Sequence, residues 1–190
     1  GAVSARISRE GGGLILPTCE EIFHLARLAQ QGALPSSLFA PPFALLREAH
    51  DKGAFIRRCA ALGLAVPRSL VLTSRAELER LRPEAGDLVF KPVWSRFAAK
   101  VLLRPAPQAL DPIRPTPQAP WLAQAYLPGE EISLWAMAHH GRLRGLAAYR
   151  ARARAGQGAA IACEPAESAD ITAFARRFIE GTGWHGQISF

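Results

Sequence analysis

Between positions 105 and 120 the sequence carries six prolines, at 105, 107, 112, 115, 117 and 120. Proline has no N–H to donate and its ring blocks the preceding helical turn, so this stretch is neither helix interior nor central strand. It reads as an extended surface connection rather than core. The core must come from the apolar segments on either side, and 190 residues suffice for one good core or two small ones. At 49% hydrophobic residues the chain is too apolar for disorder, and no run approaches the ~18 apolar residues of a membrane span. The start holds arginines but no apolar stretch followed by a cleavage site, which argues against a signal peptide. Cys19, Cys59 and Cys163 form no C-x-x-C pair, as suits a reduced, cytoplasmic setting.

Ahead of the prolines, Gly13-Leu-Ile-Leu-Pro17 has the pattern of a buried strand in an α/β sheet. Thr18 stands three before Glu21, a capping box that opens a helix over roughly 19–30 with Ile22, Leu25, Ala26 and Ala29 on one face. One such βα unit cannot bury its faces alone, so the chain reads as starting partway through a domain. Residues 34–42 are Pro-rich and irregular, and 43–50 and 54–61 have helical spacing. A strand is expected at 69–72 and a helix at 75–81, opened by a second capping box of Ser74 and Glu77. Residues 87–91 form a strand ended by Pro92, with 99–104 as its neighbour.

Beyond the prolines come strand candidates at 121–127, 131–139 and 142–151, with hairpin signals at Pro128-Gly129 and His140-Gly141. A Gly-containing loop at 156–158 precedes a strand at 159–163. Ser168 caps a helix carrying Ile171, Phe174 and Phe178, with Gly181 as its stop, and 186–190 is a last strand.

The formal charge of +7 raises the question of nucleic acid, since clustered cations are the footprint of phosphate binding. Of the 23 basic residues, however, only Lys52, Lys91 and Lys100 are lysine, and arginine this dominant beside abundant Ala, Leu and Pro reflects a compositional bias. A basic nucleic-acid-binding domain therefore ranks as a third reading. The scarcity of lysine draws attention to the three that exist. His139-His140 reads as a solvated turn rather than a metal site, Trp184-His185 as packing near the last helix, and no cysteine has a visible base partner.

The order of short motifs is more specific than any one of them. Asp51-Lys52 opens a helix, Gly63-Leu-Ala-Val-Pro67 follows, and then Phe90-Lys91-Pro92. Gln124-Ala-Tyr-Leu-Pro-Gly-Glu-Glu131, a strand pair and a helix leading to Gly183-Trp-His-Gly186-Gln187-Ile-Ser-Phe190 complete the series. From about residue 14 onward this resembles the ATP-grasp family, most like its branch related to the carbamoyl-phosphate synthase large chain.

The resemblance implies a mixed α+β and α/β fold in which two α+β subdomains grip ATP, preceded by part of a Rossmann-like pre-ATP-grasp domain. Residues 1–50 would be the end of that domain, with Leu16-Pro17-Thr18-Cys19-Glu20-Glu21 after a sheet strand. The first subdomain would span 51–127, including the Pro-rich connection, and the second 128–190, truncated at its C-terminus. Lys52 and Lys91 match residues that face phosphate, and Gln124, Ala125, Tyr126 and Leu127 match the hinge on the adenine edge. Gln124 stands where the family often has Glu. Glu131 matches the acid that accepts the ribose hydroxyls, with Glu130 as competitor.

The sequence departs from the family after Lys91-Pro92, where a Gly-rich loop is usual and Val93-Trp-Ser-Arg-Phe-Ala-Ala-Lys100 has no glycine. Ser95, Arg96 and Lys100 could supply side-chain donors there instead; the other reading is a surface turn packing Trp94 and Phe97. Arg150 is a candidate contact for an anionic substrate, and Gln187 matches a metal-ligating position. The family's other metal ligands, in a Glu-x-Asn pattern, fall beyond residue 190, so this chain is expected to bind nucleotide without turning it over.

By resemblance the activity is that of an ATP-dependent carboxylate–amine ligase working through an acyl phosphate, with ATP and Mg²⁺ (or Mn²⁺) as cofactors. Its partners would be a small carboxylate and an amine, with no membrane and room for a homodimer. The second reading, a non-catalytic nucleotide-binding module, follows from the missing glycines.

Overall fold

The computed structural model describes residues 2–9, 11, 13–34, 36–95, 100–155 and 159–190. In chain order the elements are α1 (Ala2–Arg9), β1 (Leu14–Ile15), α2 (Glu21–Gln30), β2 (Ser37–Leu38), α3 (Phe43–His50), α4 (Lys52–Ala61) and β3 (Ser69–Leu72). Next come α5 (Arg75–Leu81), a 3-10 segment (Arg82–Asp87), β4 (Leu88–Pro92), β5 (Leu102–Leu103) and a second 3-10 segment (Pro107–Leu110). Then β6 (Trp121–Ala125), β7 (Ser133–His139), β8 (Arg142–Ala155), β9 (Ala159–Pro165), α6 (Ala169–Thr182) and β10 (Gly186–Ser189) follow. β1 and β2 pair in parallel, and the other strands form sheets ordered β3-β6-β4-β5 and β10-β7-β8-β9. By contacts the chain divides into a first unit of Gly1–Ala49, Ser133–Tyr149 and Pro165–Phe190, and a second of His50–Ile132 and Arg150–Glu164. No helix among the described residues is long and apolar enough to cross a membrane.

The second unit is built on the alternation of its strands. Leu72, Leu88, Phe90 and Ala123 join one core with Leu78, Ala85, Leu110 and Ile113. In the antiparallel registers Ser69 lies opposite Gln124, Val89 opposite Gln124, and Lys91 opposite Leu122. Residues that oppose each other share a face, so Ser69, Gln124 and Lys91 fall together on the face away from Phe90 and Ala123. Helix α5 starts on a full capping box: the Ser74 hydroxyl accepts the Glu77 N–H, and the Glu77 carboxylate accepts the Ser74 N–H.

The Pro-rich stretch corrects the sequence expectation in part. Most of it is exposed, as a surface connection should be, but Leu110 is fully buried and Ile113 4% exposed, both within the core cluster. The prolines forbid regular pairing but place no limit on the side chains between them. Carbonyls of this stretch find donors on α5 and just beyond it. Arg75 donates to the carbonyls of Leu110 and Ile113, both at 2.9 Å, and Arg82 to that of Pro107 at 2.6 Å. Arg82 also pairs with Asp111 at 2.9 Å.

In the first unit β7 alternates strictly, burying Leu134, Ala136 and Ala138. Phe178 of α6 is buried near the Trp184 and Phe190 rings, at 6.0 and 5.3 Å between centroids. Ser168 caps α6 by accepting the Ile171 N–H at 3.3 Å. The helix does not stop at Gly181, as its sequence suggests, but at Gly183, whose φ of 66° lets the Trp184 N–H return to the Ile179 carbonyl. The run before Pro17 is a two-residue strand with one neighbour, and Leu14 and Leu16 are 58% and 54% exposed, where burial was expected. Of the Thr18 capping box only half forms. Glu21 accepts the Thr18 N–H at 2.7 Å, while the N-cap position, Glu20, makes no side-chain cap bond.

His140-Gly141 closes the β7–β8 hairpin with φ of 47° and 77°, as a primed turn requires. Pro128-Gly129 does not close one. β6 already has β3 on one edge and β4 on the other, so β7 has no edge left to join and enters the other sheet.

Truncating Leu110 to Ala should therefore behave as a core deletion and cost about 2–5 kcal/mol in a denaturant titration. A surface connection would lose less than about 0.5 kcal/mol.

Candidate functional site

Lys52 opens α4, whose cap Asp51 accepts the Ala54 N–H at 2.8 Å. The helix lies tight on β3: a Cβ at Gly53 would fall 2.5 Å from Val71 Cγ2. This close approach brings the Lys52 ammonium to the turn after β4, where it donates to the carbonyls of Val93 (3.1 Å) and Ser95 (2.8 Å). Lys91, near the end of β4, donates to Gln124 Oε1 at 2.9 Å. The Gln124 amide in turn donates to Ser69 Oγ at 3.1 Å, and Ser69 to the Pro67 carbonyl at 2.9 Å.

Neither ammonium makes an ion pair among the described residues. Burial holds both lysines below the 10.5 of an ordinary lysine, and the Lys91 charge depresses Lys52 further while Asp51 partly offsets it. Each ammonium is thus satisfied only by neutral acceptors among the described residues, and Lys52 also feels the Lys91 charge.

Next to them runs 124–127. The Ala125 N–H is spent on the Arg68 carbonyl (2.8 Å) and that of Tyr126 on the Asp87 carbonyl (2.9 Å). Leu127 is exposed, and its N–H has no partner among the described residues. The Tyr126 ring lies 5.3 Å from the Arg104 guanidinium. Beyond it both acids are already matched. Glu131 pairs with Arg154 at 2.7 Å and is 71% exposed on its side chain. Glu130 pairs with Arg150 at 2.8 Å, and Arg150 also lies 3.6 Å from Glu164.

The Ser95 hydroxyl donates to the Pro92 carbonyl at 3.1 Å, bracing the turn. Trp94 is exposed rather than packed, with the His50 ring 5.6 Å away. Lys100 is exposed with φ of 60°, and Arg96 and Phe97 lie outside the described residues. Gln187, in the first unit, accepts the Trp135 indole N–H at 3.1 Å and donates to the Pro17 carbonyl at 3.2 Å. Ser69 carries no motif, and its place behind Gln124 is visible only once β3 and β6 are set in register. Likewise the Val93 and Ser95 carbonyls that hold Lys52 are backbone groups without a residue signature.

No protein-family model matches the chain, and no curated protein matches it. Solved structures do. The N5-carboxyaminoimidazole ribonucleotide synthetase of Thermus thermophilus matches at TM-score 0.69 and 20% identity, over 99% of this chain and 52% of that one. The ATP-grasp ligase PsnB, complexed with minimal precursor, matches at TM-score 0.57 and 21% identity, over 85% and 52%. The biotin carboxylase domain dimer of the Hydrogenobacter thermophilus 2-oxoglutarate carboxylase, in complex with ADP, its magnesium salt and bicarbonate, matches at TM-score 0.73 and 13% identity, over 99% and 46%. The chain spans about half the length of these proteins. At such identities the likeness establishes the fold. The chain has the ATP-grasp fold.

A buried lysine without an anion costs folding energy. Lys91→Met should therefore melt at or above the parent at neutral pH. The native pKa lies below the unfolded one, so the native state binds fewer protons and parent stability rises as pH climbs toward 10.5. The advantage of the variant should shrink over that window, as denaturation at successive pH values would show.

Proposed function

We propose that this chain is the nucleotide-binding part of an ATP-dependent carboxylate–amine ligase that works through an acyl phosphate. The observation that carries the proposal is the pair of ammonium groups, Lys52 and Lys91, which among the described residues meet only neutral acceptors, together with a Leu127 N–H that has no partner among those residues. A triphosphate relieves the repulsion between them, and a charge-assisted hydrogen bond of this kind contributes roughly 1.5–3 kcal/mol. The Leu127 N–H and the Ala125 carbonyl would take the adenine edge, as the family resemblance implies. Gln124 keeps one amide hydrogen and one lone pair after its bonds to Ser69 and Lys91.

In this reaction class the γ-phosphoryl group passes to the substrate carboxylate, and an amine then displaces phosphate to leave an amide. Lys52 and Lys91 would hold the phosphates and spread their charge during the transfer. Glu131 is our choice for the ribose hydroxyls, which then compete with Arg154 for its oxygens. Arg150 could meet an anionic substrate only by leaving Glu130 and Glu164. Ser95 and Lys100 are candidate donors to the phosphates, as the family resemblance implies. By the order of its motifs we place the chain nearest the carbamoyl-phosphate synthase large-chain branch.

Mg²⁺ takes six oxygen ligands in octahedral geometry. Gln187 offers one amide oxygen, already accepting an indole N–H, and no carboxylate cluster accompanies it among the described residues. The described residues do not fit a pair of Mg²⁺ ions, and no step here is routed through them. The second reading, a nucleotide-binding module without turnover, rests on the glycine-free segment after Pro92, and phosphate release measured with candidate acids and amines would separate it from the first.

Two measurements test the binding site itself. Calorimetric titration with ATP should show binding, and Lys91→Ala should weaken it about 10–150-fold while leaving the fold intact; unchanged affinity would remove β4 from the phosphate site. Glu131→Gln should weaken ATP more than an analogue without ribose hydroxyls, because an amide presents one acceptor oxygen where a carboxylate presents two. Equal losses would point to Glu130.

A further inference from the structure

Three imidazoles meet in the first unit. His139 ends β7, His140 is the first residue of the hairpin turn, and His185 precedes β10. Successive strand residues point to opposite faces, so neighbouring histidines at 139 and 140 ordinarily diverge. Here His140 leaves the strand conformation, at φ of 47°, and its ring comes back toward both others. The His140 and His185 rings stack at 4.1 Å and 10°, and His139 meets them edge-on at 4.6 and 5.2 Å. One ring nitrogen from each of the three lies within 4.8 Å of the others.

The backbone forces this meeting. The Gly141 N–H donates to the Trp184 carbonyl at 2.8 Å, and a Cβ at Gly141 would fall 3.3 Å from Gly183 Cα. Glycine suits this close approach and the left-handed φ of 77° at the hairpin tip. His185 Nδ1 is buried without a hydrogen-bond partner among the described residues. A buried, unsatisfied ring nitrogen is costly and calls for an explanation.

We propose that His139, His140 and His185 bind one transition-metal dication of the Zn²⁺ type. Imidazole nitrogens suit this class, whereas Mg²⁺ and Ca²⁺ require oxygen. Zn–N bonds of about 2.0–2.1 Å in a tetrahedron set the nitrogens roughly 3.3 Å apart, so the rings close by side-chain rotation while the backbone stays in place. Three protein ligands leave a fourth position for water. The ion would clasp the β7–β8 turn to the connection between α6 and β10, and it needs neither nucleotide nor Mg²⁺.

The test uses the whole chain without a histidine tag, titrated with Co²⁺ as a coloured stand-in and then with Zn²⁺. We expect one Co²⁺ per chain with the visible absorption of a tetrahedral site, its displacement by Zn²⁺, and a melting temperature raised by either ion. His185→Gln and His140→Asn should each weaken binding by at least the roughly 10–100-fold that losing a mere supporting partner costs. Asn tolerates the left-handed backbone, so the second variant keeps the turn should the first fail to fold. Absence of Co²⁺ binding overturns the proposal. So does binding that survives both substitutions, and so does a thiolate charge-transfer band, which would put the ion on cysteine.

Discussion

Lys52 and Lys91 carry like charges close enough for one to depress the pKa of the other, and no carboxylate of the described residues pairs with either. Much of the second unit is arranged to hold this unfavourable pair. The Asp51 cap fixes where α4 begins, Gly53 lets it close on β3, and the turn after β4 turns two carbonyls toward Lys52. A single sheet face sets Ser69, Gln124 and Lys91 in a hydrogen-bonded row, while the other face supplies the core. Folding alone gains nothing from two partly buried, unpaired ammonium groups. If the proposed triphosphate binds there, part of the stability forgone is returned.

Sequence reading succeeded where local chemistry decides the outcome. The capping box at Ser74 and Glu77, the helix from Lys52 and the strand ending at Pro92 all depend on residues within a turn of each other. It failed where a distant partner decides. Pro128-Gly129 has the chemistry of a turn, yet β6 had no free edge, a fact set by β3 and β4. The prolines of 105–120 describe the backbone correctly and conceal Leu110 and Ile113, which are captured by α5 and its sheet.

The candidate site divides along the same line. Lys91 was legible because lysine is rare in this chain and a proline marks its strand end. Its neighbour Gln124 was legible through the motif around it, and Ser69 only through register. The histidines show the limit most sharply: His139-His140 alone looks like a wet turn, and nothing along the chain announces that His185 stacks on it.

The ion pairs that follow residues 124–127 have a consequence for how the protein responds to its solvent. Glu131 is held by Arg154, and Glu130 by Arg150, at exposed positions where ions in solution compete freely. If Glu131 receives a ribose, the chain carries its own rival for that site. Raising ionic strength from millimolar toward physiological shortens the screening length to about 8 Å. On the proposed assignment, that would loosen the internal rival at the sugar end and weaken the lysines' hold at the phosphate end. The two halves of a nucleotide would then answer salt with opposite signs: a nucleoside would gain where a triphosphate loses, and the ionic strength of the medium would become a selector between them.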